Sequence, residues 1–283
     1  HASQAADELA LAAAAIDPLP MQGTEAAEAM SPKAIEEIAQ RHRETGRSLQ
    51  SRGLFRWAER EYRHIIESLP IDAIVAANAR AELAVMFGEL NRHQEVVDAL
   101  EPIVDRTDKD QAYARRLQSQ ALNIAKLKST MMYHKGLAAA TQQADQDASS
   151  ARETLLAALE LEPDNVDILI AMYRTDGDDE WRKLVRRRIQ SVALMFDNQI
   201  EAVKLQSQAR IRFPDLGDRL AQAYNQYAWL VCNTEGDLKK ALQYSLKSLE
   251  LTPDNPAQLD TCGRCYFALG DYENAIRVQR RAV

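Results

Sequence analysis

The chain has 283 residues, a formal net charge of −7, 27% charged and 46% hydrophobic residues, and only ten glycines and nine prolines. That balance supports a sizeable core, and the scarcity of turn residues favours helices over β architecture. Its acidity argues against the phosphate-neutralising surface of a nucleic-acid binder, three cysteines are too few for a disulfide framework, and no apolar run approaches the roughly 20 residues of a membrane helix.

In chain order, residues 1–30 are Ala-rich and are expected to hold the second helix of an incomplete hairpin and a linker. Their apolar run "LALAAAAI" (9–16) follows Asp7 and Glu8, where a signal peptide would carry positive charge. Ala6 stands twelve residues before Pro18, and the spacing recurs at Ala58/Pro70, Ala151/Pro163 and Ala241/Pro253. Residues 33–108 are expected to form two helical hairpins and 109–175 divergent helical repeats, with "QQADQDASS" as a ragged connection. Between 176 and 215, Trp181, Leu184, Val185, Ile189, Val192, Phe196, Ile200 and Val203 mark one face at helical spacing. Acidic residues open this stretch and Pro214 closes it, so one long connecting helix is expected, on the order of 50 Å at about 1.5 Å per residue. Residues 216–283 are expected to form two more hairpins, the last one truncated.

A period underlies these elements. Gly53, Gly236 and Gly270 each precede an alanine by five residues, and the last two glycines lie 34 residues apart. "ELTPDN" (250–255) echoes "ELEPDN" (160–165). Glycine turns the chain after one helix, a small alanine lets two helices approach, and proline ends the second helix. Such a hairpin buries its apolar faces only against other hairpins.

The last two units resemble the tetratricopeptide repeat, whose pattern runs W-x2-L-G-x2-Y, A-x3-F, P over about 34 residues. The residues are Leu259, Cys262, Gly263, Tyr266, Ala275 and Gln279 in one unit. In the other they are Asn225, Ala228, Trp229, Cys232, Ala241, Ser245 and Pro253. Upstream, Gly46, Leu49, Gly53, Ala58, Tyr62 and Pro70 fit the pattern, as do Leu83, Ala84, Phe87, Val96 and Leu100. Residues 132–165 keep Ala138, Ala139, Ala151, Leu155, Ala158 and Pro163, with Gln146 at the turn glycine. The resemblance implies an all-α helix-hairpin solenoid, a right-handed superhelix interrupted by the long helix. It implies a scaffold for protein–protein interaction rather than an enzyme. The alternative is a regulatory or targeting arm of a longer enzyme whose catalytic domain lies outside this chain. Both ends fall within a hairpin and the first residue is His1, so a longer natural protein is expected. The compartment stays open between cytoplasm and export after loss of a leader.

The chemical candidates are weak. Cys262 and Cys265 have the Cys-x-x-Cys spacing, but no strand precedes them and Pro256 and Leu259 put the helix start upstream, away from the dipole that activates redox thiols. Cys232 can approach Cys262 across adjacent hairpins, yet no histidine supplies a fourth zinc ligand. Small packing residues are the expected role, with a metal- or redox-responsive module as the minor alternative. His1, His42, His64, His93 and His134 are scattered, "DGDDE" (176–180) lacks the spaced ligands of a calcium loop, and no nucleophile or phosphate-loop motif occurs. No catalytic residue, cofactor or metal is therefore assigned. "WRKLVRRR" (181–188) is the densest basic cluster, expected to be a solvated face or a docking patch for an acidic partner.

In the family the first helix of each hairpin lines the groove. Carried over, the partner-facing residues are Gln40, Arg43, Arg47 and Gln50; Asn78 and Val85; Tyr133 and Gln143; Gln226, Leu230 and Asn233; and Asp260, Arg264 and Phe267. Long polar side chains with an occasional aromatic suit a protein or peptide partner. The subtype that clamps a chaperone's C-terminal carboxylate through Lys and Asn is not matched, since those positions hold Arg43 and Arg47, or Gln226 and Leu230. Arg43 and Arg47 stand four apart and share a face, so they are expected either to pair with Glu36, Glu37 or Glu44 or to take a partner's carboxylate. The double alanine variant is expected to bind tenfold more weakly with its melting temperature nearly unchanged.

Overall fold

The computed structural model describes residues 18–21, 23–140, 145–208 and 215–282, and among these it is helical with no strand. The chain divides into two compact units, 1–162 and 163–283. The helix expected in the Ala-rich start falls largely in 1–17, outside the described residues, as do Gln143 and Pro214.

Unit 1 begins with a short helix α1 (Glu25–Ala29) and continues with the hairpin α2 (Pro32–Ser51) and α3 (Phe55–Ser68). Ser31 starts α2 by accepting the Ala34 N–H at 3.2 Å, and Pro32 sits in the first turn, where its missing N–H costs nothing. The turn into α3 is made at Gly53, whose φ of +74° is left-handed. The next hairpin, α4 (Ile74–Glu89) and α5 (His93–Lys109), turns at Asn91 with φ +55°. A nine-residue helix α6 (Gln111–Ser119) follows, then the pair α7 (Ile124–Ala140) and α8 (Asp145–Leu161). Gln146 lies inside α8 rather than at a turn.

The core of unit 1 joins α2 to α5 through Ile38, Leu49, Ala58, Tyr62, Ile65, Leu83, Met86, Phe87, Val96 and Leu100. Close helix approach explains two glycines. A Cβ at Gly46 would stand 2.7 Å from the ring of Tyr62, and one at Gly136 would stand 2.7 Å from Cγ of Leu155. Both partners are fully buried, so neither has room to yield.

The described residues of unit 2 form three hairpins. The first pairs α9 (Val166–Arg174) with α10 (Asp179–Gln208). The second pairs α11 (Leu216–Asn233) with α12 (Leu238–Leu251), and the third pairs α13 (Pro256–Ala268) with α14 (Tyr272–Ala282). The expected long helix is α10, of 30 residues and about 45 Å. Trp181, Val185, Ile189, Val192, Phe196, Ile200 and Val203 are its buried stripe. It is also the second helix of a hairpin: it packs on both α9 and α11. Its far half reaches α12, where Asp197 takes the Lys240 ammonium at 2.6 Å and the Tyr244 hydroxyl at 3.0 Å. Gly236 and Gly270 turn the second and third hairpins at φ +140° and +81°.

The "PDN" echo has a local cause. Asn165 caps α9 by accepting from the N–H groups of Asp167 and Ile168 at 3.1 and 3.3 Å. Asn255 caps α13 in the same way, from Ala257 and Gln258 at 3.0 and 3.3 Å. Each asparagine satisfies two of the donors that a helix start leaves unpaired. Among the described residues no helix is long and apolar enough to cross a membrane.

Candidate functional site

In unit 1 the first helices α2 and α4 lie side by side, and the predicted α2 residues meet α4. Arg43 and Arg47 do converge, but on Glu82. Its Oε1 accepts from Arg43 Nη1 at 3.0 Å and from Arg47 Nε at 2.8 Å, with Arg47 Nη2 also in contact. Its Oε2 is buried without a hydrogen-bond partner. The predicted partners Glu36, Glu37 and Glu44 are not used by these guanidinium groups; Glu44 instead takes the Gln40 amide at 3.0 Å, and Gln40 accepts from Arg43 at 3.1 Å. Gln50 accepts from the Tyr62 hydroxyl at 3.1 Å and donates to Glu89 at 3.4 Å. Asn78 donates to the carbonyl of Ile74 in its own helix, and Val85 is exposed. Tyr133 stacks edge-on against His134.

Unit 2 places a different set together. Its first helices α9, α11 and α13 are neighbours in that order. Asn233, at the end of α11, is 7% exposed. Its Oδ1 accepts from Arg174 Nη2 at 2.8 Å and from Arg264 Nε at 3.0 Å. Its Nδ2 donates to the Trp229 carbonyl at 3.0 Å, which fixes the direction of the amide. The Trp229 indole N–H is held in turn by Asp167 at 2.8 Å. Phe267 is 53% exposed and lies 5.3 Å from the Arg264 guanidinium. Leu230 is fully buried and so packs inside the unit. Asp260 is turned toward α14, where it accepts from Gln279 at 2.7 Å. Gln226 is half-buried on α11.

Two residues escaped the sequence reading. Glu82 sits beside the core pair Leu83 and Ala84, and nothing in its spacing marks it. Arg174 carried a signal. It stands nine residues after the cap Asn165, and Arg264 stands nine residues after the cap Asn255. The two arginines thus occupy equivalent places on α9 and α13, one on each side of α11.

The basic cluster of α10 is largely paired. Arg182 meets Asp179 at 3.3 Å, Lys183 meets Glu180 at 2.9 Å, and Arg186 meets Glu235 at 3.2 Å. Asp178 of the "DGDDE" stretch accepts from the Trp181 N–H at 2.8 Å, the work of a helix start.

Cys232, Cys262 and Cys265 are free and buried. Interaction with the neighbouring Cys232, and then burial, holds the Cys265 thiol far above its ordinary pKa. Cys265 also approaches the carbonyl of Ala228 at 3.9 Å. Burial likewise pushes the Cys262 thiol up. Thiols held protonated in this way are poor nucleophiles, and Cys262 packs with Leu259 and Val278. Cys262→Ala is expected to cost about 1 kcal/mol or less. Stoichiometric zinc in the wild type, lost together with folding in the variant, would reverse that expectation.

The sequence profile of the tetratricopeptide repeat matches residues 221–255 and 262–283, which overlap the second and third hairpins of unit 2. No curated protein matches the chain. Among solved structures, the chain is similar to yeast Sti1 in its TPR2AB-domain:pHSP90 complex. The identity is 13% and the TM-score 0.33, covering 87% of this chain and 90% of that one. It is also similar to a human IFIT1 dimer with PPP-AAAA, at 11% identity and a TM-score of 0.36 over 88% of this chain; it spans 56% of the IFIT1 chain. The second and third hairpins of unit 2 thus match the tetratricopeptide-repeat profile in sequence, and they turn at left-handed glycines 34 residues apart.

Proposed function

We propose that this protein is an interaction scaffold that holds a partner protein or peptide on the first-helix faces of its repeats. One observation supports this most directly. Val85 on α4 and Phe267 on α13 are 57% and 53% exposed at the positions carried over from the family, Phe267 between the Arg264 guanidinium and the exposed Tyr272 ring. Exposed apolar side chains among polar ones suit a partner read by a few anchors and several hydrogen bonds. The other candidate lining residues are Gln40, Gln50, Asn78, Tyr133 and Gln226. The test is affinity capture from the native cell with the wild-type chain and a Val85→Ser/Phe267→Ser variant as baits. A partner retained by the wild type and lost by the folded variant supports the reading. Identical captures by both baits would remove it from these faces.

A further inference from the structure

We propose that Arg174, Asn233 and Arg264 in unit 2 form a receptor for an acidic side chain in a partner peptide. The proposal rests on the scaffold reading and names the chemistry of the partner.

The argument begins with charge. Two guanidinium groups, from equivalent places on α9 and α13, converge on one oxygen of a neutral amide. Among the described residues neither is within ion-pair distance of a carboxylate, whereas Arg43 and Arg47 in unit 1 both pair with Glu82. The chain as a whole is acidic, with a net charge of −7, so acids are abundant and are nonetheless kept away from this pair. Two carboxylates on the same helices are engaged elsewhere: Asp167 of α9 holds Trp229 and Asp260 of α13 holds Gln279.

Geometry supports a ligand. Asn233 is nearly buried and its amide is oriented by the Trp229 carbonyl, so its oxygen acts as a fixed post that aligns both guanidinium groups. Each guanidinium has five N–H donors and Asn233 occupies one of them, leaving donors to grip a carboxylate by charge-assisted hydrogen bonds. An alignment set in advance lowers the entropy that binding costs. The exposed ring of Phe267 lies 5.3 Å from the Arg264 guanidinium and offers apolar contact to a residue flanking that acid. The favoured segment therefore alternates acidic and apolar side chains.

The test uses the full chain and fluorescence anisotropy. One probe is a fluorescein-labelled, C-terminally amidated peptide of alternating glutamate and leucine. Its counterpart has glutamine for glutamate, and a third form of the glutamine peptide carries a free C-terminal carboxylate. The glutamate peptide should bind at least tenfold more tightly than either glutamine form. Arg174→Ala/Arg264→Ala should remove that preference. Asn233→Asp should do the same without lowering the melting temperature, because the new carboxylate pairs with both arginines from within and the fold is kept. Equal binding of the charged and amide probes, binding of neither, or preference for the free C-terminus would overturn the proposal, as would undiminished binding in both variants. If the double variant still captures the same cellular partner, the scaffold reading stands and the acidic receptor falls. Loss of that capture by Val85→Ser/Phe267→Ser alone would place the contact on the apolar anchors.

Discussion

The double variant Arg43→Ala/Arg47→Ala is expected to lose about 3 kcal/mol of stability, in place of the unchanged melting temperature that follows from treating both arginines as free groove residues. The reason is Glu82. Its side chain is 18% exposed and that of Arg43 13%, so this pair is largely desolvated. Removing the cations strands a buried carboxylate whose Oε2 already lacks a partner, and an uncompensated buried charge is among the costliest single defects. Arg47 is 55% exposed and screened by water, so Arg47→Ala alone should cost about 1 kcal/mol or less. Adding Glu82→Gln to the double variant should restore most of the loss, because the stranded charge is gone. Urea unfolding measures all four chains through the shift of the midpoint at constant slope. A double variant within 1 kcal/mol of the wild type would sink this account.

The second large effect is a loss of stability in mild acid. His134 is buried, and its Nδ1 lies 3.0 Å from Nδ1 of His93. Burial first, and then the charge on His93, pulls the pKa of His134 down to about 4 from an ordinary 6.5. Burial lowers His93 in the same direction. The folded state therefore binds fewer protons than the unfolded one between these values. The contribution of His134 is complete above pH 6.5 and is lost progressively as the pH falls toward 4, to the extent of roughly 3 kcal/mol. The pairing has the same sense. One imidazole donates and the other accepts while at least one is neutral, and two imidazolium rings would repel. Between pH 7.5 and 4.5, urea unfolding of the wild type should lose more stability than that of His134→Gln. Equal losses in the two chains would show that the acid sensitivity resides elsewhere, for example at His64, whose pKa burial also lowers.

The repeat architecture was legible in the sequence because its determinants are local. Gly53, Gly236 and Gly270 are glycines at left-handed φ, a conformation costly for other residues. The stripe from Trp181 to Val203 is a helical period, and a period survives without knowledge of what it packs on. Even the "PDN" echo was a cap seen twice. The turn at Asn91 was missed because asparagine, unlike glycine, is common outside left-handed turns. The register that makes Arg174 and Arg264 equivalent was present in the same echo, and counting nine residues from each asparagine would have found it.

The tertiary structure alone decided which charges are spent. Arg43 and Arg47 meet Glu82 across sequence separations of 39 and 35 residues, and Arg174 and Arg264 reach Asn233 across 59 and 31. The sequence shows four arginines on first helices and cannot tell the pair that meets a carboxylate from the pair that does not. That difference depends on the angle and offset at which neighbouring helices pack, and a shift of one turn, about 5.4 Å, would exchange one partner for another. The same holds for the thiols, which packing brings together from two helices: Cys232 acts on both Cys262 and Cys265. Sequence by itself determined where helices begin, turn and end, because each of those events is governed by a few adjacent residues. The electrostatics of the candidate site belong to the packing, since a Coulomb pair forms or fails over a few ångströms that only the assembled hairpins define.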